Sequence, residues 1–401
     1  MTQNLYNQSF KNVFVAEKNL QLLEKYEDLV SSIKNGEIPA ILAIFDDKNV
    51  EKLENLAKKI KKHKKILVLG VGGSSLGGKT ITALKNQEKL HFLESIDPDS
   101  VANCLAKFDL EKTFFLVISK SGETIETICQ TLIILDKIGV KNAKNFLFVT
   151  ESDENSLAKI AKKINAEIFY HPKNVGGRFS CFSVTGLLPA LICDIDIKKI
   201  LQGGKIILQD FLGNKNNFTL ASCAVQTALF KQGLRSNVMM PYIDILKNFT
   251  DWYRQLWAES LGKNGFGLTP INSMGTIDQH SQLQLYLEGP KDKFYTFFTL
   301  RNRENNFEIR DLQGCETLFG GKKLSQIVEV EQETTIETLN RKKLPIRIFD
   351  IENLEEEVLG GLMMQMFLET ILLASYENIN PFDQPAVELR KDLAREMLRN
   401  L

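Results

Sequence analysis

The sequence predicts an α/β fold of two doubly wound domains in tandem, each with a parallel sheet, preceded by a helical segment and followed by a helical tail. Three observations carry that expectation. Short apolar runs of strand length alternate with segments of helical spacing from residue 66 to 164, and the alternation resumes at residue 237. The strand runs are apolar on both of their faces, as strands covered by helices on each side of a parallel sheet must be. The length of 401 residues, 43% of them hydrophobic, supplies two or three domains at ~150 residues each.

Residues from about 14 to 65 read as helices, with Leu20, Leu23, Tyr26 and Leu29 at helical spacing. The period then changes. Ile66-Leu67-Val68-Leu69 is a buried-strand run stopped by Gly70-Val71-Gly72-Gly73. Leu90 to Leu93, Thr113 to Ile118 and Asn145 to Val149 are the next strands, separated by helical segments such as Thr124 to Leu135 and Ser156 to Ile164. A long helical stretch spans 183–233, and strands return at Asn237 to Met240, Phe294 to Leu300 and Ile346 to Phe349. The expected partition is a helical segment over 1–60, a first α/β domain over 61–205, a second over 206–376 and a helical tail over 377–401. No Pro- or Ser-rich linker separates the two domains, so they are expected to pack closely.

Lys plus Arg equals Asp plus Glu at 50 each, so no net basic field argues for nucleic acid or an anionic membrane. The Lys-rich run 58–65 reads as a solvated helix face leading into a strand. Six cysteines, at 104, 129, 181, 193, 223 and 315, are scattered without a C-x-x-C pair. That usage fits reduced thiols and provides no metal framework. The opening residues carry no basic-then-apolar export pattern, and 18 apolar residues nowhere run together. A soluble cytoplasmic protein is expected, with no metal and no cofactor.

Two polar loops follow strands. The first is Gly70-Val-Gly-Gly-Ser-Ser-Leu-Gly-Gly-Lys-Thr80, whose glycines let the backbone turn sharply and approach a ligand ahead of a helix N-terminus. Residues 73–80 also match the nucleotide pattern G-x-x-x-x-G-K-S/T, but the context fails. Gly73 comes four residues after Leu69, a frame starting at Gly70 puts Ser75 where the second glycine belongs, and the strand ending at Ile118 leads to Ser119 rather than to a magnesium-binding aspartate. The second loop is Ser119-Lys120-Ser121-Gly122-Glu123-Thr124. Three hydroxyls and an ammonium at a helix start can surround phosphate oxygens, and ligands of open parallel sheets bind at the carboxyl ends of strands. The ordinary alternative is a polar loop with a hydroxyl helix cap.

Four further segments hold candidates; the everyday reading matches the functional one for Arg178 and, residue by residue, outweighs it for Glu259, His280, Gln384 and Lys391. Arg178 follows Gly176-Gly177 and suits an anion or a developing oxyanion; otherwise it is a surface ion pair. Glu259 lies near the end of an apolar-faced helix containing Ile245, Trp252 and Leu256. In a cleft of low polarity such a carboxylate is a competent base; otherwise it is solvated. His280, in Asp278-Gln-His-Ser, is one of four histidines and is structural or catalytic. A segment opening at Pro381 places Gln384 at a helix start and Lys391 about two turns further on.

Together these segments resemble the glucose-6-phosphate isomerase family. GVGGSSLGG, SKSGETIET, GGRFSCFS, AESLGK, the helix around Asp-Gln-His280 and PFDQPAVELRK stand in the family's order from residue 66 to 391. The resemblance implies two sugar-isomerase (SIS)-type domains and an aldose–ketose isomerase acting on glucose 6-phosphate and fructose 6-phosphate through ring opening and a cis-enediol. It places Gly73 and Ser74 beside the substrate and Ser119, Lys120, Ser121 and Thr124 on its phosphate, with Gln384 positioning the sugar. Arg178 is implied to face the enediolate, Glu259 to be the base, and His280 and Lys391 to assist ring opening. Glu126 matches the position that orients the histidine. In that family the histidine comes from the neighbouring subunit, so a homodimer is implied. Two positions depart from the family pattern: Ala386 replaces a usual glycine, harmless unless its φ is positive, and Leu261 replaces a usually polar residue.

Two rivals share the fold. A sugar-phosphate sensor needs the phosphate loops but not Glu259, Arg178, His280 and Lys391 together, and the N-terminal helices lack a basic recognition helix. A closer rival is a dual phosphoglucose/phosphomannose isomerase; Gln384 and the full-length two-domain plan favour the glucose enzyme.

Overall fold

The computed structural model describes residues 5–15, 19–85, 88–139, 144–213 and 217–400, so residues 16–18 and 214–216 of the expected helical stretches lie outside the described residues. Its strands are β1 (Asn7–Lys11), β2 (Ile66–Leu69), β3 (Leu90–Leu93), β4 (Phe114–Ile118), β5 (Phe146–Thr150), β6 (Glu167–Tyr170), β7 (Ser236–Pro241), β8 (Thr269–Asn272), β9 (Lys293–Leu300) and β10 (Ile346–Ile351). They form two five-stranded sheets. The first, ordered β3-β2-β4-β5-β6, is parallel throughout, with Ile66 opposite both Leu90 and Phe114. The second, ordered β1-β10-β9-β7-β8, is parallel except for β1, which runs antiparallel to β10 with Asn7 opposite Asp350.

Both sheets follow one winding rule. The chain starts in an inner strand, crosses to the adjacent edge, then returns on the other side, so the winding reverses between β2 and β4 and again between β7 and β9. Side-chain alternation gives each sheet two buried faces. Ile66, Val68, Leu116, Ile118, Leu147 and Val149 enter the central core, while Leu67, Leu69, Phe115, Val117, Phe146 and Phe148 meet the outer helices. In the second sheet Met239, Phe298 and Phe349 point to the central core and Val238, Met240, Phe297 and Ile346 away from it.

The central core is filled by helices shared between the sheets. Glu356–Tyr376 is apolar around nearly its whole circumference, and only Glu356, Glu357 and Ser375 among its 21 residues are not buried. It is long and apolar enough to cross a membrane by length and composition, but 94% of that window is buried inside the fold, as in the core helix of a large domain. The helix Lys247–Leu261 packs on the same core through Phe249, Trp252, Tyr253, Leu256 and Trp257.

Three strands are absent from the sequence reading, and the N-terminal segment is not purely helical. Between residues 5 and 65 the chain makes β1 before the helices Leu20–Lys34, Pro39–Leu42 and Asp47–Ile60. β1, β6 and β8 are all edge strands, and each is short and half polar. Pro270 is tolerated in β8 because an edge strand has one unpaired side. The stretch 183–233 contains the helices Val184–Ile192, Ile197–Leu212 and Phe218–Lys231, and the tail is the helix Pro385–Arg399, which buries no side chain. Ile245 precedes the helix Lys247–Leu261 in a 3-10 turn and is 41% exposed, so it is not part of that helix's apolar face.

Candidate active site

The reversal between β2 and β4 sets the two sequence-marked loops side by side at the carboxyl ends of adjacent strands. The Arg178 turn joins them at close quarters: a Cβ on Gly73 would lie 2.3 Å from the carbonyl carbon of Gly177, so only glycine lets these loops meet. In the second loop Gly122 has φ of 67°, the left-handed region that glycine enters without strain. Above the loops opens a cleft of about 500 Å³. Gly73, Ser74, Lys120, Ser121, Thr124, Glu126, Arg178, Glu259, Gln384 and Lys391 all line it, although 318 positions separate the first from the last.

Ser119 is placed differently. It is 1% exposed and does not line the cleft; its hydroxyl pairs with Thr124 Oγ1 at 2.8 Å and accepts from the Gly122 N–H at 3.1 Å. It shapes the loop from behind. Lys79, the lysine of the nucleotide-like pattern, turns to Glu94 at 2.6 Å and also lies outside the cleft.

Arg178 is the hub of the site. Its guanidinium Nε donates to Ser260 Oγ at 2.8 Å, Nη1 to Gln384 Oε1 at 2.7 Å and to Glu259 Oε2 at 3.3 Å, and Nη2 to the carbonyls of Pro381 and Asp383. Burial pulls its pKa below the ordinary arginine value, and the Glu259 and Asp383 carboxylates partly offset that pull. One planar fork thus ties the turn at 177–179, the helix end at 259–260 and the loop at 381–384.

Glu259 is held in a polar setting rather than the apolar one expected from its helix. Its Oε2 faces Arg178, and its Oε1 accepts from Gln255 Nε2 at 3.1 Å. Gln255 lines the cleft one helical turn before Glu259, and the i, i+4 spacing was the available sequence signal for it. Lys391 enters the cleft from the helix Pro385–Arg399 and bonds Glu388 at 2.6 Å, which holds the Glu388 carboxyl below its ordinary range. Glu151, 3.4 Å from Lys120, is a further carboxylate of the cleft that the sequence reading missed. Ala386 lies in the first turn of its helix and is not among the positive-φ residues, so the missing glycine carries no strain there. Leu261 is wholly buried in the central core.

His280 is not brought to this cleft. It is exposed near the end of the helix Gly275–Ser281, while Glu126, its expected orienting partner, lines the cleft.

Comparison with known proteins places this arrangement. Residues 48–401 match the family model for phosphoglucose isomerase. The probable glucose-6-phosphate isomerase of Methanococcus maripaludis is 35% identical over 99% of this chain and 92% of its own length. The glucose-6-phosphate isomerase of Campylobacter jejuni is 31% identical over 97% of this chain and 99% of its own. Among solved structures, a hypothetical protein of Thermus thermophilus superposes with a TM-score of 0.88 at 27% identity, covering 96% of both chains. The glucose-6-phosphate isomerase of Chlamydia trachomatis shares the fold at a TM-score of 0.73 and 24% identity, over 88% of this chain and 73% of that one. A match across most of the chain, with relatives above 30% identity along nearly their full length, establishes that this chain belongs to the phosphoglucose isomerase family.

Proposed function

We propose that the protein interconverts glucose 6-phosphate and fructose 6-phosphate by proton transfer within this cleft, in the cytoplasm, as a step of sugar-phosphate metabolism shared by glycolysis and gluconeogenesis. The observation that carries the reading is the Arg178–Glu259 pair facing one cleft with the Ser119–Thr124 loop. Lys120, Ser121, Thr124 and the start of the helix Ile125–Ile138 hold the phosphate, with Gly73 and Ser74 beside it. Gln384, fixed by Arg178, orients the sugar. These contacts lie away from the reacting carbons and supply the orientation that the chemistry needs.

The cyclic sugar opens when a proton reaches the ring oxygen and another leaves the anomeric hydroxyl, the work assigned to His280 and Lys391. Glu259 then takes the C2 proton and returns it to C1, while a second proton passes from the C2 oxygen to the C1 oxygen. In the cis-enediolate between these steps the negative charge develops on oxygen, where the fixed guanidinium of Arg178 can meet it without reorganising. His280 stands outside its own chain's cleft, which supports a homodimer in which it completes the partner's site beside Glu126. The unpaired cysteines among the described residues are compatible with the cytoplasm.

The test is conversion of fructose 6-phosphate to glucose 6-phosphate with EDTA present, for wild type and Glu259→Gln. Wild type should turn over, and the variant should lose about 10²–10⁴-fold in kcat, the scale of a positioned general base. Activity that survives in the variant removes Glu259 from the role; an inactive, folded wild type overturns the reading.

A further inference from the structure

Lys263 stands just beyond the helix that carries Glu259, with a side chain 16% exposed. An ammonium has three protons to donate and no acceptor. All three directions end on one loop: the Asn380 carbonyl, the Asp383 carbonyl at 2.9 Å and Asp383 Oδ1 at 2.7 Å. The loop is also closed on itself, since Asn380 Nδ2 donates to Asp383 Oδ2 at 3.1 Å and the Phe382 N–H to Asn380 Oδ1 at 3.0 Å. Its other side is held by Arg178, whose Nη2 reaches the carbonyls of Pro381 and Asp383. The Asp383 carbonyl therefore accepts from both cations, and the next residue is Gln384, the N-cap of the helix that carries Lys391.

We propose that Lys263 is a positioning residue of the isomerase: it fixes the 380–384 loop to the end of the Glu259 helix, so that Arg178 is not left to hold the loop alone. This inference rests on the function proposed above. Arg178 has a second duty, because its Nη1 faces Glu259 and Gln384 in the cleft. A loop anchored only by Arg178 would move with the guanidinium whenever charge in the cleft drew on it. With Lys263 in place the loop has an anchor outside the cleft, and the base at 259 and the lysine at 391 are referred to one fixed point. The Asp383 carboxylate bonds Lys263 and acts electrostatically on Arg178 as well; its bond to Lys263 holds its pKa below the ordinary range. Lys263 does not line the cleft, so it acts through the groups it holds.

The experiment is steady-state isomerisation by wild type, Lys263→Met and Lys263→Arg, with melting temperatures measured in parallel. Wild-type turnover tests the proposed function, and the variants test Lys263 separately. Because the Ser119–Thr124 loop does not depend on this anchor, Lys263→Met should lower kcat by about 10²-fold while KM stays within about threefold, the pattern of misplaced reacting groups. Lys263→Arg, which can reach the same acceptors, should restore kcat to within about tenfold of wild type. A folded Lys263→Met enzyme with wild-type kcat overturns the proposal, as does Lys263→Arg impaired to the same degree. If Lys263→Met does not fold, Asp383→Ala removes the carboxylate acceptor at a residue whose side chain is 52% exposed. It should then lower kcat by about tenfold with KM unchanged, the scale of one charge-assisted bond, and an unchanged kcat overturns the proposal.

Discussion

Arg178 and Glu259 approach to 3.3 Å across the cleft, the arginine side chain 3% exposed and the carboxylate 31%. The buried member is therefore the fixed one, held by Ser260, Gln384 and two backbone carbonyls, and the more exposed member is the one a substrate can reach. A preorganised cation beside a reachable base is the arrangement an enediolate requires.

Replacing Arg178 by lysine keeps the charge but loses the fork. An ammonium cannot meet Ser260, Gln384, Glu259 and two carbonyls in one plane, so Arg178→Lys should lower kcat by about 10²–10³-fold, as loss of an oxyanion-stabilising donor does. Steady-state kinetics checks this; the phosphate loop is untouched, and KM should change far less than kcat.

Gly73→Ala places a methyl 2.3 Å from the Gly177 carbonyl carbon. Backbone must move to accommodate it, at a cost of about 1–3 kcal/mol by comparison with overpacked cores. The loop carrying Gly73 and Ser74 and the Arg178 turn would separate. Urea unfolding should report the lost stability, and the kinetics should show KM rising together with a fall in kcat.

His171 ties stability to pH. It is 2% exposed and follows β6; its Nδ1–H donates to the Pro172 carbonyl at 2.9 Å, and its Nε2 is buried without a partner. Burial, with the charge of Lys120 adding to it, lowers its pKa from 6.5 to about 4. The unfolded chain therefore binds a proton that the folded chain refuses between those values. Stability is full above pH 6.5 and falls as pH drops toward about 4, by roughly 3 kcal/mol at 1.36 kcal/mol per pH unit. Unfolding free energies at pH 7 and pH 5 should show the loss, and His171→Gln should remove most of the difference.

Arg347 and Glu369 form an ion pair of 2.9 Å in which both side chains are 0% exposed. Glu369→Leu leaves an uncompensated guanidinium in the core and should cost about 3–5 kcal/mol. Arg347→Met combined with Glu369→Leu should recover most of that. The pair reaches β1 through Gln365, whose Nε2 donates to Glu369 at 2.8 Å and to Gln8 at 2.7 Å. Amide exchange at residues 7–11 should therefore quicken in Glu369→Leu and slow again in the double variant.

The inner strands of both sheets were legible because burial on two faces leaves a continuous apolar run such as Phe114–Ile118, which little else explains. The edges were not. Asn7–Lys11 falls in the segment expected to be helical, and it becomes a strand because β10 offers it an edge, with Asn7 opposite Asp350 and Lys11 opposite Ile346. The loops were legible because two glycine- and hydroxyl-rich loops both follow strands, where ligands of open parallel sheets bind.

The sequence by itself determined the family, the tandem α/β plan and the candidates that line the cleft, because local period and short motifs are written in neighbouring residues. It named Ser119 as a phosphate contact, yet its hydroxyl closes the loop from behind, a difference of orientation that no motif encodes. It listed Lys263 within a motif without a role. Only the tertiary structure brought Lys263 onto the carbonyls of Asn380 and Asp383 and left His280 outside its own chain's cleft. Those relations join segments up to 120 positions apart, and they are decided by the packing of two sheets on shared helices rather than by the preferences of any segment alone.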